Sequence, residues 1–261
     1  MKKSFFTFLY HEVTDIYTDT GFQRKSNLPY KHGIDEFYKN IDIIVDNCDD
    51  IITLNDLAAN SSGTLLTFDD GGKSALRIAD YLEQHSLRGH FFITTSMIGQ
   101  KCFLDKNEII DLYERGHIIG SHSHSHPNVF RALKYNEMIE EWSESKKILE
   151  SILQTKIDSC SVPGGDANRA TYKAANECGY EYVFNSEPDL RVLSYKNTLI
   201  LGRFCPLSGT SMMEIESLCK HKNLWKYKLV RNFKSVVKIA LESSNISGVP
   251  IHTLETLWSK A

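Results

Sequence analysis

Thr64-Leu65-Leu66-Thr67-Phe68-Asp69-Asp70-Gly71-Gly72 is the stretch on which the fold turns. Ser61-Ser62-Gly63 precedes it, a turn-forming cluster, so the short apolar run 64–68 is expected to be a buried strand. Two carboxylates and two glycines then leave little room for anything but a sharp polar turn. Ser74–His85 follows with Leu76, Ile78, Ala79 and Leu82 at helical spacing. A strand, a tight turn and a helix make the repeating unit of an α/β fold.

The same alternation extends in both directions. Phe5–Tyr10 reads as a first strand, and Ile34–Val45 as a helix with apolar residues at 34, 37, 38, 41, 44 and 45. Gly89 ends the 74–85 helix and His90–Thr95 is the next strand. Asp105 with Glu108 three residues on resembles a capping box. The helix it starts stops at Gly116, a natural C-cap. Ile118-Ile119 is a short strand, Asn136–Leu153 a long helix and Asp158–Val162 a strand. Asn168–Cys178 is a helix stopped by Gly179. Tyr182–Asn185 and Leu199–Phe204 are the last strands. Repeated strand–helix units imply a parallel sheet, either a barrel or a doubly wound layer. The expected division is one α/β domain over 1–217 and a basic helical tail over 218–261.

Composition narrows the function classes. The chain has 261 residues, 41% of them hydrophobic, and a formal net charge of −3. That is too apolar for a disordered chain. A mildly acidic balance argues against general nucleic-acid binding. Six cysteines, at 48, 102, 160, 178, 205 and 219, include no CxxC pair, and read as scattered reduced thiols. Met1-Lys2-Lys3 mimics a secretory start. The apolar run after it stops at His11-Glu12, short of an h-region of roughly 7–15 residues. The expectation is a cytoplasmic protein.

Three segments place polar, chemistry-bearing residues directly after a strand. Asp69 and Asp70 are adjacent carboxylates, which raise each other's pKa when nothing else intervenes. Gly120-Ser121-His122-Ser123-His124-Ser125-His126-Pro127 packs three histidines into five positions. Imidazole is the commonest neutral metal ligand, and a helical turn would set His122 and His126 on one face. Val162-Pro163-Gly164-Gly165-Asp166 is a rigid turn with bare backbone, suited to offering N–H groups to an oxyanion. Each segment also has a plain structural reading as a helix cap, a solvated loop or an ordinary turn.

Together these segments resemble the polysaccharide deacetylase family, also called the NodB-homology or carbohydrate esterase 4 family. Thr67-Phe68-Asp69-Asp70-Gly71 is similar to its first motif, the stretch from Gly116 to Asn128 to its second, and Val162-Pro163-Gly164-Gly165 to its third. The resemblance runs from about Phe5 to Arg203. It implies a distorted (β/α) barrel with the site at the C-terminal strand ends. It implies that Asp70, His122 and His126 bind a divalent metal, usually Zn²⁺, with Co²⁺, Ni²⁺ or Fe²⁺ as other candidates. Asp69 would be the general base. Pro163, Gly164, Gly165, His11 and Arg203 are expected around substrate or oxyanion. The implied substrate is an N- or O-acetylated saccharide from a surface polysaccharide or its precursor.

The sequence departs from the family pattern in places. Ser161 stands where the third motif often carries an arginine that steadies the base. The fourth motif has no clear counterpart near Tyr182–Asp189. The general acid is unassigned, with His252 the nearest candidate. A deformylase or cyclic amidase on the same scaffold, a catalytically silent carbohydrate-binding protein and a non-haem Fe(II) oxygenase remain alternatives.

The tail adds one more feature. Lys220 to Lys238 holds seven Lys/Arg and no acid. Trp225, Leu229, Phe233, Val236, Val237, Ala240 and Leu241 fall on one face at helical spacing. Such a helix packs on the barrel or lies on an anionic membrane through 220–241, at the inner membrane face.

Overall fold

The computed structural model describes residues 3–231. In chain order the elements are β1 (Ser4–Tyr10), β2 (Glu12–Val13), β3 (Lys31–His32), α1 (Ile34–Asn47), β4 (Ser62–Phe68), α2 (Ser74–Gln84), β5 (His90–Ile93), α3 (Lys106–Glu114), β6 (Ile118–Ser121) and α4 (Tyr135–Leu153). β7 (Ser159–Ser161), α5 (Arg169–Glu177), β8 (Tyr182–Phe184), β9 (Leu193–Tyr195), β10 (Thr198–Leu201) and α6 (Met212–Cys219) follow.

Eight strands form one sheet in the order β1-β4-β5-β6-β7-β8-β10-β9. Every pairing is parallel except β9 with β10. The sheet curls until its ends meet: Phe8 pairs with Phe204 in parallel. The Leu9 N–H donates to Phe204 O at 2.8 Å, and the Phe204 N–H to Thr7 O at 2.8 Å. The result is the expected distorted barrel.

The pleat sorts side chains to two faces. Phe5, Leu65, Phe92, Phe184 and Leu201 pack in one cluster. Phe6, Leu66, Phe91 and Val183, each one residue away, pack with Ile41, Ile78, Ile109 and Trp142 of the surrounding helices. Leu65, Thr67 and Asp69 therefore share a face. Asp69 extends the ladder beyond β4, its N–H donating to Tyr10 O at 3.0 Å.

Two strand expectations need correction. β10 ends at Leu201 rather than running to Phe204. Gly202 lies so close to Glu187 O that a Cβ there would sit 2.2 Å from it, and the chain bends to turn Arg203 inward. β9 is an additional strand. It pairs with β10 through a hairpin in which Lys196 takes a φ of +51°.

α6 runs across residue 217 and buries Ile215, Leu218 and Cys219 on the core. A further helix starts at 225 and reaches residue 231. Phe233 to Leu241, most of the basic tail, and His252 lie outside the described residues. Among the described residues no helix is long and apolar enough to cross a membrane.

Candidate active site

Asp70 stands where β4 ends and holds a left-handed φ of +82°. Few non-glycine residues adopt that conformation without a constraint. β6 delivers the histidines. The His122 N–H donates to Ile93 O at 2.8 Å, continuing the ladder with β5. The chain then leaves the strand as a loop, with Ser123 at φ +63° and His126 at φ +54°. Glu141, from α4, holds that loop: it accepts the His124 and Ser125 N–H groups at 2.9 and 2.8 Å and the Ser125 hydroxyl at 2.6 Å.

His122 and His126 come together on this loop and not on a helical turn. The His122 ring donates through Nδ1 to Ser161 O at 3.0 Å. That leaves Nε2 facing Asp70 Oδ1 at 3.5 Å. His126 Nε2 lies 3.6 Å from the same oxygen. One ligand atom from each of Asp70, His122 and His126 falls within 4.8 Å of the others. Four-coordinate zinc with ligands ~2.1 Å away would space them roughly 3.4 Å apart. One carboxylate, two imidazoles and an outer carbonyl that fixes a ring tautomer fit a divalent ion. His124 is not part of the group; its Nδ1 is 3.0 Å from Thr95 Oγ1.

Neither adjacent carboxylate ends with a raised pKa. Burial favours protonated Asp69, but the Arg203 charge, with His122 behind it, holds the carboxyl below its usual range. Asp70 is likewise held down against burial by its contact with His122 and by the charges of His11 and His126. Burial opposes charge on His122, yet Asp69 and Asp70 lift it above the ordinary histidine value. Burial and the charge on His122 push His126 down to about 4.

Arg203, expected near substrate or oxyanion, is buried beneath Asp69. It is 1% exposed. Nη1 donates to Asp69 Oδ1 at 2.8 Å and Nη2 to Asp69 Oδ2 at 2.9 Å, a bidentate clamp. Nε donates to Asn185 O at 2.9 Å, and Nη2 also donates to Ser161 Oγ at 2.8 Å. The Ser161 hydroxyl in turn donates to Asp69 Oδ2 at 3.0 Å. The arginine absent from position 161 is thus replaced by one from beyond β10, with Ser161 bridging.

The three turn residues separate in role. Pro163 has no N–H. The Gly165 N–H is spent on Val162 O at 2.8 Å, and a Cβ there would sit 1.8 Å from Ser186 Oγ. Gly164, exposed, carries the turn's remaining amide. His11 follows β1 and feels both Asp69 and Asp70, while burial holds its pKa below the ordinary value. Its Nδ1 is buried without a hydrogen-bond partner.

The segment between β2 and β3 was silent in sequence and supplies two aromatic walls. The Phe22 ring lies 4.5 Å from that of His126, and the Tyr30 ring 5.1 Å from that of His11. Buried Glu12 holds the segment down: it accepts the Gly21 N–H at 2.7 Å and the Ser74 hydroxyl at 2.9 Å. Arg24 hydrogen-bonds Asn128, tying it to the histidine loop.

Residues 58–183 match the family model described as polysaccharide deacetylase. That match covers just under half of the chain and agrees with the resemblance carried by its motifs. Among curated proteins, it is 35% identical over 80 residues to the peptidoglycan-N-acetylglucosamine deacetylase PgdA of Listeria monocytogenes, covering 29% of this chain and 16% of that protein. It is 28% identical over 123 residues to the peptidoglycan-N-acetylmuramic acid deacetylase PdaA of Bacillus subtilis, covering 46% of this chain and 44% of that protein. The chain thus aligns with less than half the length of each. Among solved structures, the Streptococcus pyogenes deacetylase PplD in complex with acetate superposes with a TM-score of 0.69 at 15% identity. That match covers 84% of this chain and 99% of the other. IcaB from Ammonifex degensii superposes with a TM-score of 0.70 at 17% identity, covering 83% and 97%. At such identities the two share the fold.

Proposed function

We propose that this chain is a metal-dependent hydrolase that removes an acetyl group from an N- or O-acetylated sugar of a surface polysaccharide or its precursor. The observation that carries the reading is the clamp on Asp69. A buried carboxylate kept ionised by Arg203 and Ser161, beside the Asp70–His122–His126 group, is a base with its proton-accepting oxygens fixed.

Asp70, His122 and His126 would hold a divalent ion, with zinc suited to the donor set and cobalt, nickel or iron able to take it. Such an ion, when bound, polarises an acyl carbonyl and acidifies a water. Asp69 takes the proton from the attacking water. Arg203 touches no substrate; it is a positioning residue that keeps Asp69 ionised and oriented. The Gly164 N–H, the turn's amide without a bond of its own, would be the one to meet a developing oxyanion. The leaving amine or hydroxyl needs a proton, and His11, which feels both carboxylates and has a buried ring nitrogen without a partner, is the candidate donor once protonated. Phe22 and Tyr30 offer flat apolar surfaces to the ring faces of a saccharide. Six free cysteines suit a reducing compartment, so a cytoplasmic precursor is the favoured substrate.

Elemental analysis of wild type beside His122→Ala/His126→Ala, followed by acetate release from acetylated glycans and lipid-linked sugars, tests the reading. The expected result is near-stoichiometric divalent metal in wild type, lost in the double variant together with acetate release. Metal-loaded protein that freed no acetate across that panel would overturn the assignment.

A further inference from the structure

The helix that starts at 225 is apolar on two opposite sides. Leu224 and Tyr227 pack against the core. The Tyr227 ring is 5.9 Å from that of Phe204, and its hydroxyl donates to Glu214 Oε1 at 2.9 Å. Arg231 donates to Glu187 Oε1 at 2.9 Å and to Gly165 O at 3.1 Å. Positions 224, 227 and 231 lie along one side of a helix, and they account for its attachment to the barrel.

The other side has no such account. Trp225 and Leu229, four residues apart, are 59% and 57% exposed, with Val230 exposed beside them. A helix whose one task is to cover a core turns polar residues outward. Here Lys226 and Lys228 flank the outward apolar stripe, both exposed, with Lys228 3.6 Å from Asp189. Lys220 and Lys222 precede it, and the sequence continues to Lys238 without an acid. The sequence also repeats the apolar spacing at Phe233, Val236 and Ala240, outside the described residues.

We propose that this outward face docks on an anionic lipid bilayer. Tryptophan and leucine on a narrow stripe between lysines match the interface of such a membrane, where the indole sits at headgroup depth and the ammonium groups meet lipid phosphate. A second copy of the chain is a poor occupant, because it would set two acid-free basic segments against each other. The docking helix is bonded through Arg231 to the turn that carries Gly164. A saccharide attached to lipid would therefore meet the site close to its anchor. That consequence rests on the proposed deacetylase activity, whereas the docking does not.

Co-sedimentation of the full chain separates the two. The probes are phosphatidylcholine vesicles, with and without phosphatidylglycerol, at low and high salt. The expected result is binding to the phosphatidylglycerol vesicles alone, weakened about tenfold by high salt and by Lys222→Glu/Lys226→Glu. Trp225→Ser/Leu229→Ser should weaken it by about as much, with unchanged circular dichroism and metal content. No binding at low salt, or equal binding by both double variants, overturns the proposal. So does a dimer that Trp225→Ser/Leu229→Ser dissociates without any vesicle binding, which would give the face to a second copy. Vesicle binding without acetate release would leave docking intact and remove only the lipid-linked substrate.

Discussion

His90 and His117 lie near the start of β5 and β6, and His122 lies just past the end of β6; all three are equally deep in the protein. The difference is in what their ring nitrogens do. His90 Nδ1 donates to Leu66 O at 2.8 Å and Nε2 accepts the Leu54 N–H at 3.0 Å. His117 Nδ1 accepts the Gly89 N–H at 3.1 Å and Nε2 donates to Glu83 at 3.0 Å. Both rings are fully committed to joining strands to loops. His122 commits one nitrogen to Ser161 O and turns the other toward Asp70. Burial alone therefore does not mark a site. A nitrogen left over from the hydrogen-bond ladder and facing a carboxylate does. The two ends of the same strands have divided the work, stability below and chemistry above.

That division can be broken at either end. The largest expected effect is at the upper end. Asp69→Asn should lower kcat by about 10²- to 10⁴-fold while metal content is retained. Acetate release measured beside elemental analysis checks it, and metal lost with activity would mean that Asp69 also serves the ligand group. Arg203→Leu should be costly in both respects. Removing one partner of a buried pair destabilises by about 3–5 kcal/mol, read by denaturant unfolding. Arg203→Lys should recover part of kcat with KM little changed, which marks positioning.

The lower end should respond to pH instead. Burial holds His90 down to about 4, below its ordinary 6.5. Its folded pKa lies under its unfolded one, so protonation favours the unfolded chain. The stability His90 contributes is whole above pH 6.5 and lost as pH falls toward 4, on the order of 3 kcal/mol in all. Thermal melts of wild type and His90→Asn across that window should differ in slope. At neutral pH, kcat per folded molecule of His90→Asn should equal that of wild type; a lower value there would show that the lower end is not purely structural. The smallest effect should be at Phe22, where loss of a stacking surface in Phe22→Ala raises KM several-fold, worth about 1 kcal/mol, with kcat nearly unchanged.

Legibility followed sequence distance. Asp69, Asp70, His122 and His126 sit next to the strands that present them, so a strand followed by polar residues revealed them together. Gly164 and Gly165 were visible as a pair, but only the turn's own hydrogen bond tells which amide is spent. Arg203 stood out as a basic residue after a late strand, but its pairing with Asp69 was not legible. Its partner Asp69 is 134 positions away, and they meet only because the curled sheet brings its ends together. β9 gave no signal, being three residues with two of them exposed. Its hairpin also lacks the Asn-Gly or Asp-Gly that announces such a turn. Phe22 and Tyr30 belong to a segment without periodicity, held by a buried glutamate that sequence alone reads as surface.

The Arg203–Asp69 clamp also imposes an order in time. A chain made from its N-terminus first has Asp70, His122 and His126 in hand well before residue 203 emerges. The trio draws on β4 to β7 and on α4, since Ser161 O orients His122 and Glu141 holds the histidine loop. The base cannot be armed until the far edge of the sheet has come round. On the proposed function, a chain lacking residue 203 would hold the metal-ligating trio without the clamp that keeps Asp69 ionised.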